Sequence, residues 1–371
     1  MRRYLLVGIV ASIVCESSYT VDKKLDASNF LDSFDFISNY DIYTNGSTSY
    51  VSKHEAQLMG LVRSTESQIY LGVDNGSVTN VLPRGGRRSF RLESHDTIDN
   101  GMIIVDFEHI PANACGMWPA LSVAFTRLTS LVLGKYDAPV NVGLDDSAGR
   151  TFTLHLCLLT NQSSWLLHDS ATYSEIDIVE SVSFLSRNEI TLYTGPDQCS
   201  MEARNGSGDV FSTRCDYRGE GCGATAPNGT FGDSFNRNGG GVLATEIDVT
   251  GIRVWQFARS MVPESVKNES PDPDSWGTPV LHFVPKECDI RAAWTKMKIV
   301  SATRLGVHSP SDGSQIINIT FCGKYAGAEA WEGYTGCRAR TGVETCEQYV
   351  AQNPSAFDDV YYLINSISTF R

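Results

Sequence analysis

The 371 residues carry a formal net charge of −13, which disfavours nucleic acids and anionic membranes as partners because both would repel the chain. A neutral polysaccharide is compatible with this charge. Helix-forming residues are sparse, and strand-like runs are bounded by turn residues throughout, which is typical of an all-β sandwich. The length allows a sizeable core, and we predict one monomeric domain over 21–371.

Residues 1–20 have the pattern of a secretory signal. Two arginines precede an apolar run over 4–14, and small or polar residues follow it. We expect cleavage between Cys15 and Thr20. The apolar run is shorter than the roughly twenty residues that a membrane-spanning helix needs, so we predict a secreted, extracellular protein without a membrane anchor.

The cysteines support an oxidising compartment. Ten occur, of which Cys15 lies in the signal and Cys157 in a segment of irregular pattern. The remaining eight lack the paired Cys-x-x-Cys spacing of metal sites, so we predict four disulfides, and neither a metal nor a cofactor. Asn-x-Ser/Thr sequences suit a glycosylated surface, and they begin at Asn45, Asn75, Asn161, Asn205, Asn228, Asn268 and Asn318.

Alternation of polar and apolar residues predicts strands along most of the chain. The first lie within 29–51, and later ones are predicted at 68–73, 89–92, 101–107, 242–249, 253–258 and 315–321. A glycine turn is predicted over 235–241; it lacks the Lys-Ser/Thr pair of a phosphate-binding loop. The stretch 337–371 is richer in helix formers, and we expect a short helix there before a last strand.

The most informative string combines three acids with apolar residues: Ser174-Glu175-Ile176-Asp177-Ile178-Val179-Glu180-Ser181. On a strand, Glu175 and Asp177 share one face, while the isoleucines between them pack into the core. Glu180 would then point into the core. We therefore predict a β-bulge near Ile178 or Val179 that returns Glu180 to the acidic side.

The spacing of Glu175 and Glu180 suggests acid–base and nucleophilic chemistry by a pair of carboxyl groups. With one residue absorbed, their Cα atoms lie about 13 Å apart, because each strand residue rises ~3.3 Å. Side chains that lean inward bring the carboxyl groups to about 5 Å, the separation used by retaining glycosidases. Crowded like charges also let one carboxyl keep its proton as an acid. The simpler alternatives are three solvated acids or a calcium site.

The string resembles the signature of glycoside hydrolase family 16, in particular its fungal endo-β-1,3(4)-glucanase, or laminarinase-like, branch. The likeness covers nearly the whole chain outside the signal and residues 121–173, and the eight cysteines also suit that branch. Other similar strings lie at 29–36, 101–111, 115–120, 235–241, 251–259, 275–279 and 320–327.

The resemblance implies a concanavalin A-like jelly-roll β-sandwich of two curved antiparallel sheets, with a substrate groove across the concave sheet. It implies an endo-acting hydrolase of β-1,3 or mixed β-1,3(4)-glucans, with Glu175 as nucleophile, Asp177 as assistant and Glu180 as acid/base. Candidate substrate-binding residues are Trp118, Trp255, Tyr193, Arg91 and Arg259. The alternatives are core positions for the tryptophans and a bracing role for the arginines.

The chain departs from the family pattern at three places. Tyr193 stands where the family carries a histidine, and we expect an altered hydrogen bond at the cleaved linkage. Ser181 replaces the usual glycine and is expected to crowd the groove. Residues 121–173 replace a short connection, either as a lid over the substrate or as an incorrectly joined gene model.

Three other functions stay open from the sequence. A transglycosylase would use the same residues and pass the sugar to another sugar. A catalytically impaired β-glucan-binding or wall-associated protein would keep the sandwich, although a pure binder has no need of three crowded acids. A calcium-binding lectin would need further Asp or Asn ligands, and the neighbouring positions offer few.

Overall fold

A computed structural model of the chain describes residues 19–41, 44–81, 85–98, 100–126, 141–145, 151–155, 173–294, 297 and 315–371. All but the last two residues of the predicted signal therefore lie outside the described residues, as does Cys157. No helix within these ranges is long and apolar enough to cross a membrane.

Strands account for most of the regular secondary structure in the described residues. In chain order they are β1 (Val21–Leu25), β2 (Phe34–Phe36), β3 (Asn39–Tyr40), β4 (Thr48–Tyr50), β5 (Val62–Ser64), β6 (Ile69–Gly72), β7 (Arg87–Ser89), β8 (Arg91–Ser94), β9 (Gly101–His109), β10 (Met117–Thr126), β11 (Asn141–Asp145), β12 (Thr151–His155), β13 (Tyr173–Glu180), β14 (Glu189–Thr194), β15 (Ser200–Ala203), β16 (Asp209–Ser212), β17 (Cys222–Thr225), β18 (Gly241–Asp248), β19 (Gly251–Ala258), β20 (Leu281–Glu287), β21 (Gln315–Phe321) and β22 (Tyr361–Phe370).

The helices are short. The α-helices are α1 (Lys53–Leu58), α2 (Gly232–Arg237), α3 (Glu264–Lys267), α4 (Ile290–Ala293), α5 (Gly323–Ala326), α6 (Ala328–Glu332), α7 (Cys337–Thr341) and α8 (Cys346–Gln352). The 3-10 helices are Phe30–Asp32, Arg259–Met261, Pro273–Ser275 and Pro354–Phe357.

Two antiparallel sheets form the sandwich, which confirms the predicted fold class. Sheet A has the order β15-β20-β19-β18-β9-β22-β6-β5, and β1 also pairs with β22. Sheet B has the order β16-β17-β14-β13-β10-β21-β8-β2. Two smaller sheets join β11 to β12, and β3 to β4 and β7.

The main hydrophobic core lies between the two sheets. It is filled by alternate residues of both, for example Val105 and Phe107 on β9 of sheet A, and Ile176 and Ile178 on β13 of sheet B. A second apolar cluster covers the opposite face of sheet A, and it consists of Met102, Ile104, Val242, Ala244, Trp255, Val262, Trp276 and Phe370. Sheet A is thus packed on both faces, whereas the outer face of sheet B presents polar groups.

Most predicted elements agree with the structure. The strand at 315–321 has the predicted bounds, and short helices precede the final strand as expected. The predicted glycine turn is partly wrong, because Phe235 lies inside α2. The turn is confined to the residues around Gly239 and Gly240, whose φ of 76° favours glycine.

The predicted bounds of the insert are too wide. β10 continues to Thr126 and β13 begins at Tyr173, so positions 121 and 173 fall within paired strands. Small residues, such as Ser122 and Ala124, occupy the outward positions of β10, so the strand shows little alternation of polar and apolar side chains. Between these strands the structure describes only the hairpin of β11 and β12, and both interpretations of the insert concern residues that lie mainly outside the described ranges.

Four disulfides join the eight cysteines, as predicted. They are Cys115–Cys337, Cys199–Cys288, Cys215–Cys222 and Cys322–Cys346. The first and last attach α7 and α8 to residues beside β10 and β21. The C-terminal helices are therefore fixed covalently to the centre of sheet B.

Candidate active site

Three acids of β13, Glu175, Asp177 and Glu180, lie on the outer face of sheet B, which we call the acidic face. Their partners on β10 are Ala124, Ser122 and Ala120. Alternate residues of a strand point to one side, so the three acids share that side. Val179 pairs with Leu121 and Asp177 with Ser122, which leaves Ile178 without a partner on β10 and confirms the predicted bulge.

Glu180 is buried, with 8% of its surface exposed. The Trp118 indole Nε1 donates a hydrogen bond to Glu180 Oε1 at 2.7 Å. Burial is the main cause that raises the pKa of Glu180 to about 8; the charges of Glu189 and Glu175 act in the same direction, and the indole hydrogen bond opposes them. This carboxyl therefore holds its proton at neutral pH.

Asp177 is also buried, between the two glutamates. Its Oδ1 accepts a hydrogen bond from the Ser122 hydroxyl. Burial, followed by the charges of Glu175 and Glu180, raises the pKa of Asp177 well above its usual range. A protonated Asp177 can donate a hydrogen bond to a neighbouring carboxylate.

Tyr193 pairs with Glu175 across β13 and β14, so its side chain lies on the acidic face. Burial, with the nearby acids, raises the pKa of Tyr193 above its ordinary value, so the phenol stays neutral and can donate a hydrogen bond. Gly221, with a φ of 70°, leaves room for the ring, because a Cβ there would lie 2.6 Å from Tyr193 Cε1. The altered hydrogen bond at the cleaved linkage stays a prediction.

Sequence reasoning missed Glu189 and two tyrosines that face it. Tyr325 donates its hydroxyl to Glu189 Oε2 at 3.1 Å, and its ring meets Trp118 edge-on with centroids 5.4 Å apart. Tyr334 is 58% exposed and donates to the Tyr325 carbonyl at 2.8 Å. The tyrosines lie more than 100 positions after the catalytic string, so only the fold reveals their proximity.

Arg91 also lies on the acidic face, but three strands away from Glu180. Glu180, Ala120, Asn318 and Arg91 are successive cross-strand partners on β13, β10, β21 and β8. At about 4.8 Å per strand, this places the arginine backbone about 14 Å from Glu180. Its guanidinium Nε lies 3.5 Å from Glu93 Oε1, and its side chain is almost wholly buried.

The structure corrects the placement of Trp255. Its neighbour Val254 belongs to the main core, so the indole points to the opposite face of sheet A. Trp255 is 2% exposed there, with Trp276 edge-on at 5.2 Å, and its Nε1 donates to the Gly277 carbonyl at 3.2 Å. It is a packed residue that lies away from the acidic face.

Arg259 and Ser181 also differ from expectation. Arg259 follows β19 in sheet A, and its Nη2 donates to Asp106 Oδ1 and to the Phe107 carbonyl, both at 2.7 Å. It braces sheet A and does not join the acidic face. Ser181 is 1% exposed and donates to the Arg187 carbonyl at 3.1 Å, so its hydroxyl is engaged within the turn after β13.

The fold and this site together define a class of protein. A β-sandwich strand presents paired glutamates, one of them buried and protonated, as glycoside hydrolases require. Within the described ranges no group of three or more His, Cys, Asp or Glu side chains is arranged to hold a metal ion. The paired glutamates on this fold are those of the carboxylate-pair glycoside hydrolases.

The chain belongs to glycoside hydrolase family 16. The model of its XgeA-like catalytic domain matches residues 34–126 and 162–370. Endo-1,3(4)-beta-glucanase xgeA of Emericella nidulans is 31% identical over 362 residues, which cover 96% of this chain and 48% of that protein. A probable glycosidase of Schizosaccharomyces pombe is 29% identical over 363 residues, covering 95% of this chain and 70% of that protein.

Solved structures agree with the family. Laminarinase 16A from Phanerochaete chrysosporium, with β-glucans in donor and acceptor sites, superposes with a TM-score of 0.72 at 28% identity, covering 96% of this chain and 100% of that one. An elongating family 16 β-1,3-glucosyltransferase superposes with a TM-score of 0.70 at 30% identity, covering 95% of this chain and 100% of that one. The chain spans about half the length of the first curated relatives that it matches.

Proposed function

We propose that the protein is an endo-acting hydrolase of β-1,3 or mixed β-1,3(4)-glucans. The observation that carries this proposal is the bulge at Ile178, which brings Glu175 and a buried, protonated Glu180 to one face of the strand. The names of the family 16 relatives, endo-1,3(4)-beta-glucanases and a laminarinase, support the substrate class. The partner is thus a neutral polysaccharide, and we expect the protein to act as a monomer.

The proposed mechanism is a double displacement. Glu175 attacks the anomeric carbon while Glu180 gives its proton to the glycosidic oxygen, so the bond from carbon to the leaving sugar breaks as an ester to Glu175 forms. Glu180, now a carboxylate, takes a proton from water, and the oxygen of that water displaces Glu175. Asp177 donates a hydrogen bond beside the nucleophile, and two inversions leave the β configuration unchanged.

Trp118 and Tyr193 are the proposed sugar contacts nearest to the reacting bond. The indole of Trp118 is fixed by its hydrogen bond to Glu180, and the phenol of Tyr193 lies opposite Glu175. An aromatic ring offers an apolar face to the C–H groups of a pyranose, and a neutral phenol offers a donor to a sugar hydroxyl. Arg91, with its side chain buried, is proposed to act farther along the bound glucan.

The stereochemistry of the first product tests this proposal. Laminarin is digested and the reducing-end anomers are followed by proton NMR before mutarotation, together with the fall in viscosity. We expect the β anomer first and a rapid loss of viscosity, as a retaining endo-enzyme requires. Early appearance of the α anomer would contradict the double displacement, and binding of laminarin without any release of reducing ends would favour the binding-protein alternative.

A second candidate function is transglycosylation. The observation that favours it is the similarity, at 30% identity, to the elongating β-1,3-glucosyltransferase. A sugar acceptor would then replace water in the second step. Mass spectrometry of products from a laminari-oligosaccharide separates the two activities, because only transfer yields products longer than the substrate.

We also propose that the protein is secreted and glycosylated, which the four disulfides support. Among the described positions Asn318 is 5% exposed and donates to the Tyr50 hydroxyl at 3.0 Å, whereas five other sequon asparagines are exposed: Asn45, Asn75, Asn205, Asn228 and Asn268. Because attachment needs an accessible amide, we expect glycans at the five exposed positions and none at Asn318. Glycopeptide mapping of protein secreted from a fungal host checks this, and an occupied Asn318 would contradict it.

A further inference from the structure

Glu189 is a fourth carboxyl on the acidic face, and the proposed mechanism does not use it. It is the first residue of β14 and lies on the same side of that strand as Thr191, the partner of Asp177. Its side chain is partly buried. Glu189 therefore places a further carboxyl group near Glu175, Asp177 and Glu180.

The residue before Glu189 fixes its position relative to Glu180. The Asn188 side chain accepts a hydrogen bond from the Glu180 backbone N–H at 3.0 Å, and it donates one to the Ile178 carbonyl at 2.9 Å. Both bonds engage the bulge, and Asn188 is buried. The start of β14 is therefore fastened to the segment that carries Glu180.

A chain of side-chain contacts also joins the two carboxyl groups. Glu189 Oε2 accepts from the Tyr325 hydroxyl at 3.1 Å, and the Tyr325 ring meets the Trp118 ring at an interplanar angle of 87°. Trp118 in turn donates to Glu180 Oε1 at 2.7 Å. With Asn188 this chain forms a closed circuit, in which Glu189 has little freedom to move away from Glu180.

We propose that Glu189 is a positioning residue whose negative charge, held beside Glu180 by this circuit, keeps the acid/base carboxyl protonated until the glycosidic bond breaks. The inference rests on the proposed role of Glu180. No bond to Glu189 forms or breaks. Once Glu180 has given up its proton, the same charge makes its carboxylate a stronger base toward water in the second step.

The electrostatic balance at Glu180 agrees with this role. Burial raises the pKa of Glu180 most, and the charge of Glu189 follows, ahead of that of Glu175. The Trp118 hydrogen bond acts in the opposite direction. Burial and the charge of Glu220 raise the pKa of Glu189, whereas the hydrogen bond from the Tyr325 hydroxyl favours its ionised form and opposes them.

Other elements packed around Glu180 present groups that do not change charge over the working pH range. On its own strand Glu175 and Asp177 are the titrating neighbours. Trp118 on β10 is a neutral donor. The remaining groups are tyrosines whose pKa values are raised by burial, so that they stay neutral: Tyr193 on β14, Tyr325 and Tyr334 after β21, and Tyr362 on β22 of the opposite sheet.

The variant Glu189→Gln tests the proposal, because it removes the charge and keeps an acceptor for Tyr325. We expect the basic limb of the kcat/KM profile on laminarin to move down by about half a pH unit or more, which lowers kcat/KM about three- to tenfold at pH 8.5. Values near pH 5.5, where Glu180 is protonated in both proteins, should stay within about twofold. Glu189→Asp, which restores the charge, should return the limb to its original position.

A titration that does not depend on activity separates this inference from the proposed function. The Glu180 carboxyl carbon is followed by NMR against pH, with Glu180→Gln used to assign the signal, and its midpoint should fall in Glu189→Gln. Glu202→Gln, an equal charge change at an exposed position of β15, is the matched control. If Glu189→Gln, like the Glu202→Gln control, leaves the Glu180 midpoint and the pH profile unchanged, the inference is wrong. If the wild type is inactive but Glu189→Gln still lowers the Glu180 midpoint, the proposed hydrolase activity is refuted and the electrostatic coupling is not.

Discussion

Replacement of either Glu175 or Glu180 by glutamine should lower kcat on laminarin by at least about 1,000-fold. Glutamine keeps the shape of each side chain but supplies neither a nucleophilic carboxylate nor an exchangeable acid proton. General acid–base catalysis by one positioned group contributes roughly 100- to 10,000-fold, and loss of the covalent step stops the double displacement itself. Initial rates of reducing-sugar release check both variants.

The two variants should differ on a substrate with a good leaving group. An aryl β-laminaribioside releases a phenolate that needs no protonation, so Glu180→Gln should still form the glycosyl-enzyme and show a burst of phenol. Glu175→Gln should show no burst, because the attacking carboxylate is missing. Glu202→Gln, on sheet A, is expected to keep wild-type activity. Equal burst amplitudes in both catalytic variants would contradict the assigned roles.

The pH dependence should show a second signature of Glu180. With a pKa of about 8, its acid form is present below that value and is lost as the pH rises through it. In the wild type, activity should therefore extend to neutral pH and fall above about pH 8. The acidic limb reports the ionisation of the nucleophile, which must be a carboxylate to attack.

The sequence is sufficient to predict the bulge because the bulge follows from the local geometry of one strand. Ile176 and Ile178 must face the core, and a two-residue period then turns Glu180 inward unless one residue is absorbed. The structure leaves Ile178 as the extra residue. Burial of the flanking apolar side chains thus determines where the acids lie.

The tryptophans show where such reasoning fails. Trp118 and Trp255 both lie in strands of alternating polar and apolar residues. Alternation shows that successive side chains point to opposite faces of a sheet, but it does not show which face carries the site. Trp118 is on sheet B beside Glu180, whereas Trp255 is on sheet A within the second apolar cluster. Only the pairing of strands distinguishes the two sheets, and that pairing is set by contacts far apart in sequence.

Glu189 could have been suspected from the sequence, and Tyr325 could not. Glu189 opens the strand after the catalytic one, so a hairpin-like pairing of β13 with β14 places it near the acids. Tyr325 reaches the site through β21, which pairs with β10 on the other side. The disulfide between Cys322 and Cys346 then holds the segment that carries this tyrosine.

Replacement of Arg87 by methionine should lower the free energy of unfolding by about 3–5 kcal/mol, the largest stability effect that we expect from a single substitution here. Arg87 is fully buried in β7. Its Nη1 donates to the Asp74 carbonyl at 2.6 Å and its Nε to the Val350 carbonyl at 3.0 Å. Methionine fills similar volume but leaves these carbonyls without a donor in an apolar interior.

The position of the acceptor carbonyls on α8 makes the loss of stability larger, and Arg87 Nη2 also donates to the Ala351 carbonyl at 3.4 Å. Val350 and Ala351 lie in the last turn of α8, where the carbonyls lack partners within the helix and carry the negative end of its dipole. The guanidinium compensates that charge and also lies 4.9 Å from the centre of the Phe357 ring. Burial lowers the pKa of Arg87 to about 10, so the side chain stays charged at every pH used for catalysis.

Arg338→Met is the matched control for this effect. Arg338 lies in α7, 43% of its side chain is exposed, and its partners Glu332 and Glu344, both at 2.7 Å, are exposed as well. Exposed ion pairs contribute about 0–1 kcal/mol, so its loss should be small. Urea unfolding with intact disulfides measures both variants, and equal losses in the two would show that the buried contacts of Arg87 contribute no more than exposed ion pairs.

The Arg87 variant should also separate stability from catalysis. The contacts of Arg87 hold α8, and the disulfide from Cys346 on α8 to Cys322 lies next to the segment that carries Tyr325. While the sandwich is folded, this covalent connection keeps Tyr325 near Glu189, so kcat at 25 °C should stay within about twofold of the wild type although the melting temperature falls by several degrees. A large loss of kcat in fully folded protein would instead show that α8 positions the acidic face directly.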